Sequence, residues 1–259
     1  MTLLAHERYC DEILSQTGLL GELVESADLT RRVPTCPDWD LRELVAHVGG
    51  AHRWAGEIVR SRAAGELADD QVPGARAPAG DDPAALAAWL TEGAAAAVDA
   101  LREAGPETEV WTWAWERRAA FWARRMAHET AVHRADAALA AGTAFEVAPG
   151  LAADTITEWL QIVAFAQREG DPEAAELRGG GRSLHLHATD APGAEWLIEF
   201  GDEGFTWRHA HAKATVALRG PLTELMLAFN RRRKPDEGGL EVLGDRGLLD
   251  FWLERSSFG

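Results

Sequence analysis

Cysteine is scarce in this chain: there are 2 in 259 residues, Cys10 and Cys36. They are too few and too far apart for a disulfide framework or a Cys-x-x-Cys site. Positive charge is also short, with 26 Lys+Arg against 42 Asp+Glu and a formal net charge of -16 when histidine is neutral. Such an acidic surplus repels phosphate backbones and anionic lipid, so neither a nucleic acid nor a membrane is expected as a partner. No apolar run approaches the roughly 18 to 20 residues of a membrane span. The opening residues meet His6-Glu7-Arg8 before a signal-peptide core could form, and a cytoplasmic location is expected. A serine nucleophile elbow, a phosphate-binding loop, a dinucleotide fingerprint, an internal repeat and a heptad array are all missing from the sequence. What remains, 46% hydrophobic and 26% charged, is the composition of an ordinary globular protein. Its length suits one large domain or two modest ones.

Periodicity divides the chain. From Leu3 to about Ala27 apolar residues recur at helical spacing, with a weak point at Gly18 and Gly21. The run Val33-Pro34-Thr35-Cys36-Pro37-Asp38-Trp39 breaks this helix, because its two prolines forbid continuation. Asp40 with Glu43 three residues on forms a capping box that predicts a second helix to about Ala64. After a Gly/Pro/Asp-rich loop, Asp82-Pro83 opens an alanine-rich third helix ending near Gly105, whose thin Ala94 to Ala97 stretch is expected to carry little packing. A fourth helix is predicted from about Glu116 to Ala141 with Gly142 as C-cap, and a fifth from Leu151 to about Arg168. Beyond Gly170 the period shifts to alternation, predicting four strands in succession over 183–189, 195–200, 205–211 and 214–219, then helices over 221–231 and 248–254. The fold class expected is α+β. An up-down four-helix bundle with a fifth helix fills residues 1–170, and a small α+β domain with a mainly antiparallel sheet fills 180–259.

The fourth helix contains His128-Glu129-Thr130-Ala131-Val132-His133. This is not the zinc-protease motif, since at about 100° per residue the two histidines lie about 140° apart around the helix. Glu129 and His133 share a face. They could chelate a divalent cation if a third ligand came from another helix, and His47, set in the apolar stripe Leu44, Val48, Ala51, Ala55, Ile58, fits that part. The plainer alternatives are an exposed salt-bridged face with Arg125 and a hydrogen-bonded core histidine. Asp136 continues the face, either as an acceptor for a ligating imidazole or as a solvent-side charge. His52 and His128 point elsewhere. His185-x-His187 and His209-x-His211 could each aim two imidazoles from a strand face toward a metal, or simply decorate a solvated face. Arg231-Arg232-Arg233-Lys234 could be solvated at a helix end or could receive a carboxylate substrate.

The segments Val33-Pro34-Thr35-Cys36-Pro37-Asp38-Trp39, Leu44-Val45-Ala46-His47-Val48-Gly49-Gly50 and Ala127-His128-Glu129-Thr130-Ala131-Val132-His133-Arg134-Ala135-Asp136 together resemble the mycothiol-dependent maleylpyruvate isomerase family. The likeness extends to Leu240-Glu241-Val242-Leu243-Gly244-Asp245 near the carboxyl end. It implies a DinB-like metal-binding bundle followed by a sterol-carrier-like α+β domain. It also implies a divalent metal, usually zinc, on His47, Glu129 and His133, with mycothiol as thiol cofactor and Arg231 or Arg232 completing the active site. A thiol of pKa about 8.5 loses its proton on binding a divalent metal. The implied function is therefore attack of a metal-bound thiolate on a small electrophile, such as a carboxylate, in cis-trans isomerisation of a maleylpyruvate type or in thiol S-transfer. The alternative is a small-molecule binding module with a structural metal.

Overall fold

The computed structural model describes residues 3–256. It divides the chain into two units, with the break between Phe145 and Glu146.

In the first unit, α1 (His6–Ser26) runs unbroken through both glycines and buries Ile13, Leu20 and Val24, while Leu19 remains exposed. The proline-rich run that follows is a small hairpin, β1 (Arg32–Val33) against β2 (Cys36–Asp40), where the sequence predicted only a break. Asp40 then caps α2 (Leu41–Ser61). Its Oδ1 accepts the Glu43 amide and Glu43 Oε2 accepts the Asp40 amide, each at 2.9 Å, a device worth about 1 kcal/mol. Asp82 opens α3 (Pro83–Ala104) by accepting the Ala84 amide at 3.0 Å. Gly142, at φ 71°, closes α4 (Ala119–Ala141) in the left-handed conformation that glycine tolerates.

Side-chain neighbours fix the helix directions. Gly49 faces Trp89 and Gly56 faces Ala97, so α2 and α3 run parallel. His47 meets His133 and Trp54 meets Trp122, so α4 opposes α2. Tyr9 meets His128 and Gln16 accepts from Arg134 at 2.7 Å, so α1 runs with α4. The order is up, down, down, up. The expected alternation stops between α2 and α3, because the long 62–82 link carries the chain back to the end where α2 began. The alanine stretch of α3, expected to be idle, is a close-packed seam with Ala94 and Ala97 buried. A β-carbon added at Gly56 would lie 2.9 Å from Ala97 Cα, so small residues on both helices are what permit the approach. By length and composition α3 is also apolar enough to cross a membrane, contrary to the expectation that no run would be. Half of that stretch is buried within the fold, as in a core helix.

The second unit takes in α5 (Pro149–Glu169), a helix whose periodicity alone groups it with the bundle. Its side chains explain the grouping. Thr157 accepts the Trp196 indole N–H at 3.0 Å, and Gln167 donates to the Ala174 and Leu177 carbonyls while accepting the Phe205 amide. The sheet contains β3 (Arg182–Ala188), β4 (Glu195–Phe200), β5 (Phe205–Arg208), β6 (Val216–Gly220) and β7 (Glu241–Gly244), in the order β5-β4-β3-β6-β7. All pairs are antiparallel except β3 with β6. Five strands thus replace the expected four; β7 is short and mostly exposed, without the alternation that marks a strand. Helices α6 (Leu222–Phe229) and α7 (Arg246–Arg255) complete the unit. Its core joins Leu184, Leu186, Trp196, Ile198, Phe229 and Trp252. Of the sequence-predicted domain ends, residues 1, 2 and 257–259 lie outside the described residues.

Candidate metal centre

The capping box starts α2 at Leu41 and so sets His47 in its second turn, facing the middle of α4. There the i, i+4 spacing brings Glu129 and His133 onto one face. Glu129 Oε1 lies 3.1 Å from His47 Nε2 and 3.1 Å from His133 Nε2, and the two imidazole centres are 5.0 Å apart. The three donor atoms all fall within 4.8 Å of one another. Two imidazoles and one carboxylate on facing bundle helices form a donor set used by catalytic zinc sites, and these side chains fit such an ion.

Around this trio the chain supplies orientation. Asp136, fully buried, takes His133 Nδ1 at 2.9 Å, which aims Nε2 at Glu129. Asp136 also accepts the Thr35 hydroxyl at 2.6 Å and lies 3.8 Å from Cys36 Sγ. The solvent-side reading of Asp136 is therefore excluded. Arg125 donates to the second Glu129 oxygen at 2.9 Å, so the salt-bridge alternative is present in the same cluster and does not replace it. Trp39 lies over both imidazoles, with ring centres 4.8 Å from His47 and 6.0 Å from His133. Thr35 and Cys36 carry no site signal of their own in the sequence, because only the β1–β2 hairpin brings them to α4.

Electrostatics follow from this crowding. Burial by itself would raise the Glu129 carboxyl, but the His133 charge, hydrogen bonds from His133 and His47, and Arg125 hold it well below the ordinary carboxylate range. Burial would lower His133, yet Glu129 and Asp136 overcome it and push the imidazole up to about 9. Without an ion His133 is thus protonated, and a metal must displace that proton. His52 is fully buried and its pKa falls to about 4, chiefly by desolvation. Since the Thr130 hydroxyl donates to the Met126 carbonyl, it accepts from His52 Nε2, at 2.8 Å, and His52 is a neutral core residue. His128 is buried on the opposite side of α4 against Tyr9. Both stand apart from the trio, as the helix angles predict. Cys10 is buried, and desolvation raises its thiol to about 11, which removes it as a nucleophile.

The arginine run lies in the second unit. Arg231 follows the end of α6 at φ 64°, exposed, and among the described residues no hydrogen bond or ion pair engages its guanidinium. Arg232 donates to the Asn230 carbonyl at 2.8 Å, and Arg233 pairs with Glu224 at 2.8 Å. On β3, His185 and His187 share a face as the alternation predicts; His209 and His211 do not, because β5 ends at Arg208. His209 packs on Trp196 and Trp207, while His211 crosses to the side of His185.

Fold and site together define a class: a helical bundle with a three-residue donor set between facing helices, joined to a helix-covered mixed sheet. The model described as the mycothiol maleylpyruvate isomerase N-terminal domain matches residues 10–138, and the MDMPI C-terminal domain matches 150–251. The chain belongs to the mycothiol maleylpyruvate isomerase family, a family of enzymes. The crystal structure of the mycothiol-dependent maleylpyruvate isomerase aligns with a TM-score of 0.61 at 16% identity, covering 93% of this chain and 95% of that one. A histidine-to-alanine mutant of that isomerase aligns at 0.62 and 15% identity, with the same coverage. At such identities the likeness establishes the fold. No curated protein matches the chain.

Proposed function

We propose that this chain is a mycothiol-dependent enzyme that uses a divalent ion, zinc by the chemistry of the donors, to activate the thiol for attack on a small electrophile. His47, Glu129 and His133 would hold the ion. The observation that carries the reading is the convergence of two Nε2 atoms on one Glu129 oxygen, each at 3.1 Å. A bound divalent ion supplies Lewis acidity, which lowers the pKa of a thiol from about 8.5 so that it reacts as the thiolate.

The chain's own residues do the rest. Asp136 holds His133 by Nδ1 and keeps Nε2 turned inward; Thr35 in turn fixes Asp136. Arg125 balances the charge of Glu129 and pins its outer oxygen. Trp39 covers one side of both imidazoles and limits water there. The family resemblance implies a substrate carboxylate on Arg231 or Arg232; Arg231 is exposed, and among the described residues no hydrogen bond or ion pair engages its guanidinium. In a maleylpyruvate-type isomerisation, a thiol adds across the cis double bond, the new single bond rotates, and elimination returns the thiol with the trans product. The test is turnover of maleylpyruvate with mycothiol, before and after chelation and zinc restoration. Loss on chelation with recovery on zinc addition supports the reading. Apolar ligand binding that persists without metal, together with no turnover under any condition, would favour a binding module instead.

A further inference from the structure

A second donor cluster stands in the sheet unit, apart from the residues assigned above. It is built by strand geometry. His185 and His187 are two apart on β3 and so share a face, and Glu195 is the direct cross-strand partner of His187 on β4. His211 arrives from the segment after β5. His211 Nδ1 hydrogen-bonds Glu195 Oε2 at 2.6 Å, and the same oxygen lies 3.0 Å from His187 Nδ1 and 2.9 Å from His185 Nε2. Three imidazole nitrogens therefore converge on one carboxylate oxygen, which has only two lone pairs to offer. The shortfall falls on His185: it is 5% exposed, and its Nε2, aimed into the cluster, has no hydrogen-bond partner. A buried imidazole nitrogen left in that state costs stability unless something else takes it up.

The spacing suits a metal. With Zn–N bonds of about 2.0–2.1 Å, an imidazole centre lies about 3.2 Å from the ion, and tetrahedral ligands have centres about 5.2 Å apart. Here the three centres are separated by 5.7, 5.5 and 5.5 Å, a nearly equilateral triangle, with planes inclined at 62°, 84° and 66°. The four donor atoms lie within 4.8 Å of one another. His187 is half-buried and His211 exposed, so in both rings the proton displaced from Nδ1 can be replaced by one on a solvated Nε2.

We infer that His185, His187, His211 and Glu195 form a binding site for one first-row divalent transition ion of the zinc class. The four protein ligands close the coordination, so the ion is a clasp tying β3, β4 and the 209–215 segment together, separate from the bundle trio.

The test compares the untagged native chain with His187→Gln/His211→Gln, each dialysed to equilibrium against zinc and then assayed for bound zinc per chain. Neither side chain is in the core, with 25% and 75% exposure, so the variant keeps its fold. The native chain is expected to hold one ion more than the double variant, and zinc is expected to raise its Tm by more. Because the readout is a difference, it does not depend on whether the bundle trio is filled. Cobalt(II) titration gives a second readout: an intense visible tetrahedral spectrum at this site in the chain carrying Glu129→Gln, lost when the two histidine changes are added. Equal zinc content in native and double variant, or a Glu129→Gln chain that shows only the weak octahedral cobalt spectrum, would overturn the assignment.

Discussion

Glu129 and His133 stand one turn apart on α4, and their Oε1 and Nε2 atoms are 3.1 Å from each other while His47 Nε2 reaches the same oxygen from α2. That contact is what a divalent ion would interrupt. On the proposed reading, substituting either α4 residue would remove a metal ligand, whereas substituting a residue behind them should only loosen the site.

Asp136→Asn separates these cases. It preserves the shape but weakens the hold on His133 Nδ1, and zinc affinity is expected to fall by about 10- to 100-fold without abolition. Competition with a chromophoric chelator measures it. An unchanged affinity would mean that packing alone aims the His133 ring.

Arg231→Ala tests the proposal that this residue holds a substrate carboxylate. Loss of one charge-assisted contact is expected to raise KM for maleylpyruvate by about 10- to 100-fold. Metal content should not move. A normal KM would contradict that role for Arg231.

His52 gives a pH dependence with a definite sign. Its folded pKa of about 4 lies below the ordinary value of 6.5, so the unfolded chain takes up the proton first as pH falls. The neutral imidazole's contribution is complete above pH 6.5 and is lost as pH drops through about 4, a change of about 3 kcal/mol. Denaturant unfolding between those limits should show this slope, and His52→Gln, which keeps an N–H for Thr130, should flatten it.

Two helical glycines should respond in opposite directions to alanine. At Gly18 nothing lies within 4 Å of an added β-carbon, and Gly18→Ala should stabilise the fold by about 0.5–1 kcal/mol. At Gly56 the added carbon meets the Ala97 backbone at 2.9 Å, and Gly56→Ala should destabilise it by about 1–3 kcal/mol. Urea midpoints at constant m-value read both.

That Glu129 and His133 meet follows from their four-residue spacing along one helix, while His47 joins them from an apolar stripe that suits a core histidine equally well, and it is the family resemblance that singles out the three together. The capping box at Asp40 and the glycine cap at Gly142 were equally local. What escaped depends on residues far apart in the chain. Thr35 and Cys36 reach Asp136 across a hundred residues, through a hairpin that the prolines had hidden. The parallel run of α2 and α3 follows from the Gly49–Trp89 and Gly56–Ala97 contacts taken together, which no single-helix pattern displays. The histidine cluster was half visible: strand alternation paired His185 with His187, but Glu195 and His211 join only through sheet register and the end of β5.

The most direct test of the bundle centre is the number of divalent ions per chain, by elemental analysis of native protein and of His47→Ala, both purified without added metal or tag. One ion fewer in the variant, with its far-ultraviolet circular dichroism unchanged, is the expected result. The same metal content in both chains would contradict a centre built on His47, Glu129 and His133.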